Sequence, residues 1–314
     1  MDNLVVATIV LADGSVKQVS STSNPDLFWA IRGCGYNFGV VYELVIKAHE
    51  HPNDVYCGML VFPGEKYEEV YEKVKDLDIT KQHDVLCDVV FTRMPPEFQP
   101  TVLVLLFFDS PSSEEFRSRF STLYSMQPLQ DTTRAMSYVE SNRLYNEFFV
   151  YGDRKLGVAA HANIPFTTSS AKNAWKSFVE FTDPTKELGK FFAQSSVQFD
   201  FHSREGMKKL KNDETVYPSR DQEIYTVFIS ARWTDDKYDK EAIKWLNQTE
   251  ELFFEDKSKD RIRLISCSSP PEEELEKYFD PEITYGKENL EKLKVIKRKY
   301  DPTCFFNKWV PIKI

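Results

Sequence analysis

Three stretches of this 314-residue chain alternate polar and apolar side chains over their whole length. From 192 to 202, Gln194, Ser196, Gln198, Asp200 and His202 share one parity. Ala193, Val197, Phe199 and Phe201 share the other, with Ser195 the one polar exception. From 224 to 233, Thr226, Phe228, Ser230 and Arg232 oppose Tyr225, Val227, Ile229, Ala231 and Trp233. From 156 to 163, Gly157, Ala159, His161 and Asn163 oppose Leu156, Val158, Ala160 and Ala162. Successive side chains of a strand point to opposite faces, so period-two alternation means a sheet with one buried and one wetter face.

Further strands are expected at 4–12, 15–20, 39–48, 55–62, 85–92, 101–108 and 262–267, the alternating stretches supplying 156–163, 192–201 and 223–233. Asp13-Gly14 between the first two reads as a hairpin turn. Asn24-Pro25-Asp26 opens a short helix, DLFWAIR, that ends at Gly33. Longer helices are expected at 65–76, 112–123, 136–148, 168–181, 237–255 and 286–299. Strands that follow one another both directly and across helices fit an α+β fold, a large mixed or antiparallel sheet backed by helices on one side. HEHPND near residue 50 reads as a junction, and SSPPEEELEKYFD (268–280) as an acidic linker.

The formal charge of −9 argues against non-specific nucleic-acid binding and against an anionic membrane surface. The first residues carry no basic segment before their apolar run, so no signal peptide is read there, and no apolar run approaches the ~18 residues of a membrane span. The five cysteines form no CxxC pair or Cys/His cluster. Zinc is therefore not expected, and free thiols in a reducing, cytoplasmic compartment are.

Three segments together resemble the FAD-linked oxidases of the berberine-bridge-enzyme type: DNLVVATIVLADGSV with NPDLFWAIRGCGYNFGVV, then ETVYPSRDQEIYTVFISARW, then YGKENLEKLKVIKRKYDPTCFF. They occur in that family's order and spacing. The resemblance implies a fold of the vanillyl-alcohol-oxidase kind, in which a substrate domain roofs the isoalloxazine of a flavin held by a two-part α/β domain. Residues 1–50 would be the end of the second flavin-binding part, 51–270 the substrate domain, and 271–314 a return to the flavin domain. The family's earlier flavin half carries a glycine-rich phosphate loop and a flavin-linking histidine. No Gly-Gly-His occurs here, so these residues are expected to bind no FAD alone, and FAD only if such a half is supplied.

Several positions depart from the family pattern. Its Arg-Gly-Gly-Gly-x-Asn-Phe-Gly-Ile-Val-Thr is here Arg32-Gly33-Cys34-Gly35-Tyr36-Asn37-Phe38-Gly39-Val40-Val41-Tyr42. Gly33, Gly35, Asn37, Gly39 and Val41 are the remnant of the cofactor-binding set. Phe-Pro-His-Arg has become Tyr217-Pro218-Ser219-Arg220. The strand position that often carries a Gln or Glu base in plant members is Phe228, which cannot accept a proton.

In the parent architecture the polar face of the sheet meets the substrate. His202, Asp200, Gln198, His161 and Arg232 are then the candidate catalytic residues, with Gln194, Asn163, Thr226, Phe228 and Ser230 as substrate contacts. An acid, two imidazoles and a guanidinium can move protons or hold a carbonyl oxygen. The expected function is that of a secondary-metabolite enzyme, flavin-free as a lone chain, doing non-redox cyclisation or isomerisation. The alternatives are an FAD-dependent oxidase needing the other half and a non-catalytic small-molecule binder. Self-association is expected to cover the apolar remnant of the flavin domain.

Overall fold

The structure, a computed structural model, describes all residues except 52, 145, 147–150, 163–164, 212, 218–219, 221–223, 255–260, 263–280 and 309–310. Among them lie two antiparallel sheets. The smaller has the order β2-β1-β3, with β1 at Leu4–Val10, β2 at Val16–Ser20 and β3 at Val40–Ile46. The larger starts from β4 (Val55–Pro63), β5 (Val85–Met94) and β6 (Gln99–Phe108). To these it adds β7 (Gln130–Asp131), β8 (Arg134–Met136), β9 (Arg154–Ala162), β10 (Ser196–His202), β11 (Tyr225–Trp233) and β12 (Arg261–Ile262). Its order is β12-β9-β11-β10-β5-β6-β4-β7, with β8 also on β4.

The helices backing the large sheet are α2 (Tyr67–Asp76), then α3 (Ser113–Arg119) with α4 (Ser121–Ser125), and α6 (Thr168–Phe181) and α8 (Asp239–Glu251). The short turns α5 (Tyr138–Ser141) and α7 (Glu205–Lys208) lie between them in sequence. The apolar parity of each strand meets these helices. Val197 and Phe199 of β10 and Val227 and Ile229 of β11 share one core with Val70, Tyr71, Phe178 and Trp245. Thr167 caps α6 by accepting from the Ser170 N–H, and Ser112 caps α3 by accepting from the Glu115 N–H, the N-cap chemistry that starts a helix. The opposite face of the sheet carries the polar parity.

Both chain ends build the smaller core. Ala7 and Ile9 of β1 pack with Phe28 and Trp29 of α1 (Pro25–Cys34) and with Leu290 and Leu293 of the last helix. The latter pair with Tyr285 from α9 (Pro281–Tyr285) and α10 (Lys287–Tyr300). Tyr36 packs against both cores. The segment before β11 ties the two units together. Trp29 Nε1 donates to Asp213 O at 2.7 Å, Arg32 donates to Glu214 O at 2.8 Å, and Arg220 clasps Asp2 through two bonds of 2.7 and 2.9 Å. Arg220 of the altered motif is thus a strut between the segment before β11 and the N-terminus.

Three elements depart from expectation. Of the helix expected at 136–148, the described residues form one turn, Tyr138–Ser141, and Met136 is drawn with Arg134 into the sheet as β8. The helix at 112–123 breaks at Phe120. The strand expected from 192 starts only at Ser196, after a tight turn in which the Ser195 N–H donates to Phe192 O. The expected 262–267 strand is described only to Ile262, and the acidic linker lies outside the described residues. The four described cysteines, Cys34, Cys57, Cys87 and Cys304, are free. Among the described residues no helix is long and apolar enough to cross a membrane, and no group of His, Cys, Asp or Glu could hold a metal ion.

Candidate functional site

Strand register assembles the site. Across the polar face of the sheet, Asp88 of β5 pairs with Asp200 of β10, Asp200 with Thr226 of β11, and Thr226 with His161 of β9. Directly opposed residues of antiparallel strands project to the same side. The four side chains therefore form one row perpendicular to the strands. Gln198, two residues from Asp200 on the same face, donates from Nε2 to Asp200 Oδ1 at 2.9 Å and to Asp88 Oδ2 at 3.3 Å. A cleft of about 240 Å³ on the helix-backed side of the sheet, walled by Tyr71, Phe166, Phe199 and Tyr225, touches Asp200 and Thr226 from the side opposite this row.

Burial governs the charges in this row. It pushes the Asp88 carboxyl well above the carboxylate range, and the neighbouring Asp200 charge adds to the shift. Asp200 is pushed up to about 6 by burial, partly offset by the bond from Gln198. His161 is 1% exposed, and burial with the nearby Arg204 charge lowers it to about 3. It is therefore a neutral imidazole at physiological pH. Its Nδ1 lies 3.0 Å from Thr226 Oγ1, and its Nε2 is buried without a hydrogen-bond partner among the described residues. His202 is lowered in the same direction, by burial first and by Arg204 second.

The remaining sequence candidates separate from this row. Arg232 lies six residues along β11 from Thr226, roughly 20 Å away at strand rise, and is ion-paired with Asp153. Gln194 precedes β10 and lines a different cleft, about 350 Å³, with Arg232, Asp153 and Phe191. The expected single cluster containing Gln194 and Arg232 is thus corrected. The strand starts after Gln194, and a nearby acid neutralises Arg232. Ser230 pairs with Ser196 and Gly157, two rows from Phe228 and Ala159. Asn163 lies outside the described residues, as do Pro218 and Ser219. The Phe228 ring occupies the space over Gly157, so closely that a side-chain carbon added there would collide with it.

Two residues of the site escaped the sequence reading. Asp88 is the lone acid in the apolar run VLCDVVF, and its parity opposite Cys87 and Val89 signals the polar face. Arg204 lies just past β10, 4% exposed, and acts on both histidines.

The flavin remnant is packed by protein. A side-chain carbon on Gly39 would collide with Val10 O, and one on Gly33 would lie 2.8 Å from Tyr217 N, whereas Gly35 has room. Asn37 is buried, with Oδ1 accepting from the Ile312 N–H at 3.0 Å and its carbonyl accepting from Lys297 Nζ at 2.6 Å. Val41 packs on the smaller core. Gly33 and Gly39 are thus closed by neighbouring chain, whereas Gly35 is not.

Comparison with known proteins agrees with the motifs. Residues 276–313 match the family model described as berberine and berberine-like. Over 99% of its length the chain is 26% identical to the FAD-linked oxidoreductase pgmH of Aspergillus terreus and 25% identical to alt4 of Alternaria solani. It spans 65% and 66% of their lengths. Among solved structures, 6-hydroxy-D-nicotine oxidase of Arthrobacter nicotinovorans superposes with a TM-score of 0.76 at 20% identity, covering 99% of this chain and 66% of that one. A berberine-bridge-enzyme-like protein of Arabidopsis thaliana superposes with a TM-score of 0.75 at 18% identity, covering 100% and 68%. The chain thus carries a C-terminal berberine and berberine-like module, is similar along nearly its whole length to FAD-linked oxidoreductases, and shares the fold of berberine-bridge-enzyme-like structures.

Proposed function

We propose that this chain catalyses a non-redox rearrangement of a small secondary metabolite, an isomerisation or cyclisation driven by proton transfer on the polar face of the large sheet. The observation that carries this reading is the row Asp88–Asp200–Thr226–His161, which gathers proton-transfer groups where Phe228 stands at the place of the family's base. Asp200, held near 6, is poised to give or take a proton near neutrality, where general acid–base catalysis is most effective. Neutral His161, braced by Thr226, offers a hydrogen bond to a substrate oxygen. The Phe228 ring, on the same face as the row, orients an apolar skeleton against these groups. None of these steps moves electrons to a cofactor.

The test combines colour and turnover. The purified chain, incubated with FAD and desalted, stays colourless, and it converts a substrate under anaerobic conditions, with conversion lost in Asp200→Asn. Flavin absorbance that survives desalting overturns the flavin-free reading. A second reading, an FAD-dependent oxidase completed by further polypeptide, is favoured by the relation to FAD-linked oxidoreductases along nearly the whole chain.

A further inference from the structure

We propose that Asp88 and Asp200 hold one proton between them across the β5–β10 ladder and act as an alternating acid–base pair on an enolisable, β,γ-unsaturated carbonyl substrate. This rests on the non-redox reading above and names its substrate class.

The geometry is that of two carboxyls forced together. They are opposed in register, both lie in the sheet rather than on a loop, and one amide group, Gln198 Nε2, bridges them. Two ionised carboxylates at such a site repel, so one of them retains its proton. The groups facing the pair are Gln198 on β10, Thr226 on β11 and His161 on β9, with His202 one position beyond on β10 and Arg204 past its end. Cys87, beside Asp88 in sequence, faces the core instead. Of the pair, Asp88 is the one burial keeps protonated, and Asp200 is the ionised partner. The row also points to a ligand through His161, whose buried Nε2 has no hydrogen-bond partner among the described residues. An imidazole nitrogen left unsatisfied in a buried site calls for a polar atom to meet it.

The chemistry balances without an oxidant. The Asp200 carboxylate takes the proton from the carbon between the carbonyl and the alkene, and that C–H electron pair enters a dienolate. His161 Nε2–H, its Nδ1 turned to the Thr226 hydroxyl, donates to the enolate oxygen. Asp88 then delivers its proton to the far alkene carbon, and the conjugated carbonyl forms. One proton has left the substrate and one has returned, so the pair still carries one, with Asp200 now the acid. The next turnover runs with the roles exchanged or after the proton passes back.

The test uses the full chain and β-isophorone, whose shift to conjugated α-isophorone is followed by ultraviolet absorbance. Infrared spectra at neutral pH should show one protonated buried carboxyl in the unaltered protein. That band should vanish in Asp88→Asn, which leaves Asp200 ionised, and should persist at a shifted frequency in Asp200→Asn, where burial still holds Asp88 protonated. Conversion should fall about 100-fold or more in either variant, the scale of a lost general acid or base. No protonated-carboxyl band in the unaltered protein overturns the shared proton, whatever the variants do. A band with no conversion of β-isophorone keeps the shared proton but overturns the assigned substrate class. Conversion unchanged in both variants overturns the pair's role while leaving a non-redox reaction at another group.

Discussion

Lys297 Nζ lies 2.6 Å from Asp301 Oδ2, and both side chains are almost wholly buried, one turn apart at the end of α10. The same ammonium donates to the carbonyls of Asn37 and Phe306, at 2.6 and 2.9 Å. Asp301 accepts in turn from the N–H groups of Phe305 and Phe306. This knot fastens the C-terminal tail and the α1–β3 connection to one helix end. Removing one member of a buried pair strands the other charge. Lys297→Ala is therefore expected to cost about 3–5 kcal/mol in denaturant unfolding. Burial works against ionisation of Asp301, but the bonds from Lys297 and the two N–H groups prevail and hold its carboxyl below 3.8. The sign follows: the stabilisation is present above 3.8 and is lost as pH falls through the lowered value. An acid limb of unfolding that is unchanged in Asp301→Asn would contradict this.

His161 adds to the acid limb from the other core. Its folded value of about 3 lies below the ordinary 6.5, so the unfolded chain binds a proton that the folded chain refuses. Stability is full above 6.5 and declines as pH falls toward 3. Nuclear magnetic resonance should find one imidazole that does not titrate in the physiological range, and that resonance should be missing in His161→Gln. A His161 resonance titrating near 6.5 refutes the buried neutral ring.

Phe228 and Gly157 form a size-matched pair across β11 and β9. Gly157→Ala drives a methyl into the ring, and overpacking of this kind costs about 1–3 kcal/mol. Adding Phe228→Leu should recover much of that loss, because the shorter side chain frees the space. Thermal unfolding of the single and double variants measures the coupling, and simple additivity would disprove the contact.

Strand β3 is an edge of the small sheet, and Tyr42, Leu44 and Ile46 on it are 62%, 54% and 58% exposed. An apolar edge with free backbone groups is a template for strand pairing. We expect concentration-dependent self-association through this edge, weakened by Leu44→Lys or Val45→Lys. Sedimentation velocity over a wide concentration range checks it, and a monomer throughout sinks the idea.

Much of the architecture could be read before any coordinates. The alternation in VQFDFH and TVFISARW marked which side chains face the helices, and Val197, Phe199, Val227 and Ile229 are in the core accordingly. The helix from Asn24-Pro25 and the last helix with its Asp-Pro stop also appear where their local chemistry places them. The reading failed where local pattern competes with long-range pairing. Residues 134–136 joined β4 instead of a helix, and the polar parity of Gln194 counted for nothing once the chain turned before Ser196.

The sequence alone determined most of the strands, their wet and dry faces and the family resemblance, because side-chain alternation and motif spacing are properties of adjacent residues. Only the tertiary structure decided that Asp88 meets Asp200, that His161 joins them and that Arg232 does not. Those facts depend on strand register between segments as far apart as Gln198 and Asp88, 110 positions along the chain, and register is set by how whole strands pack and pair.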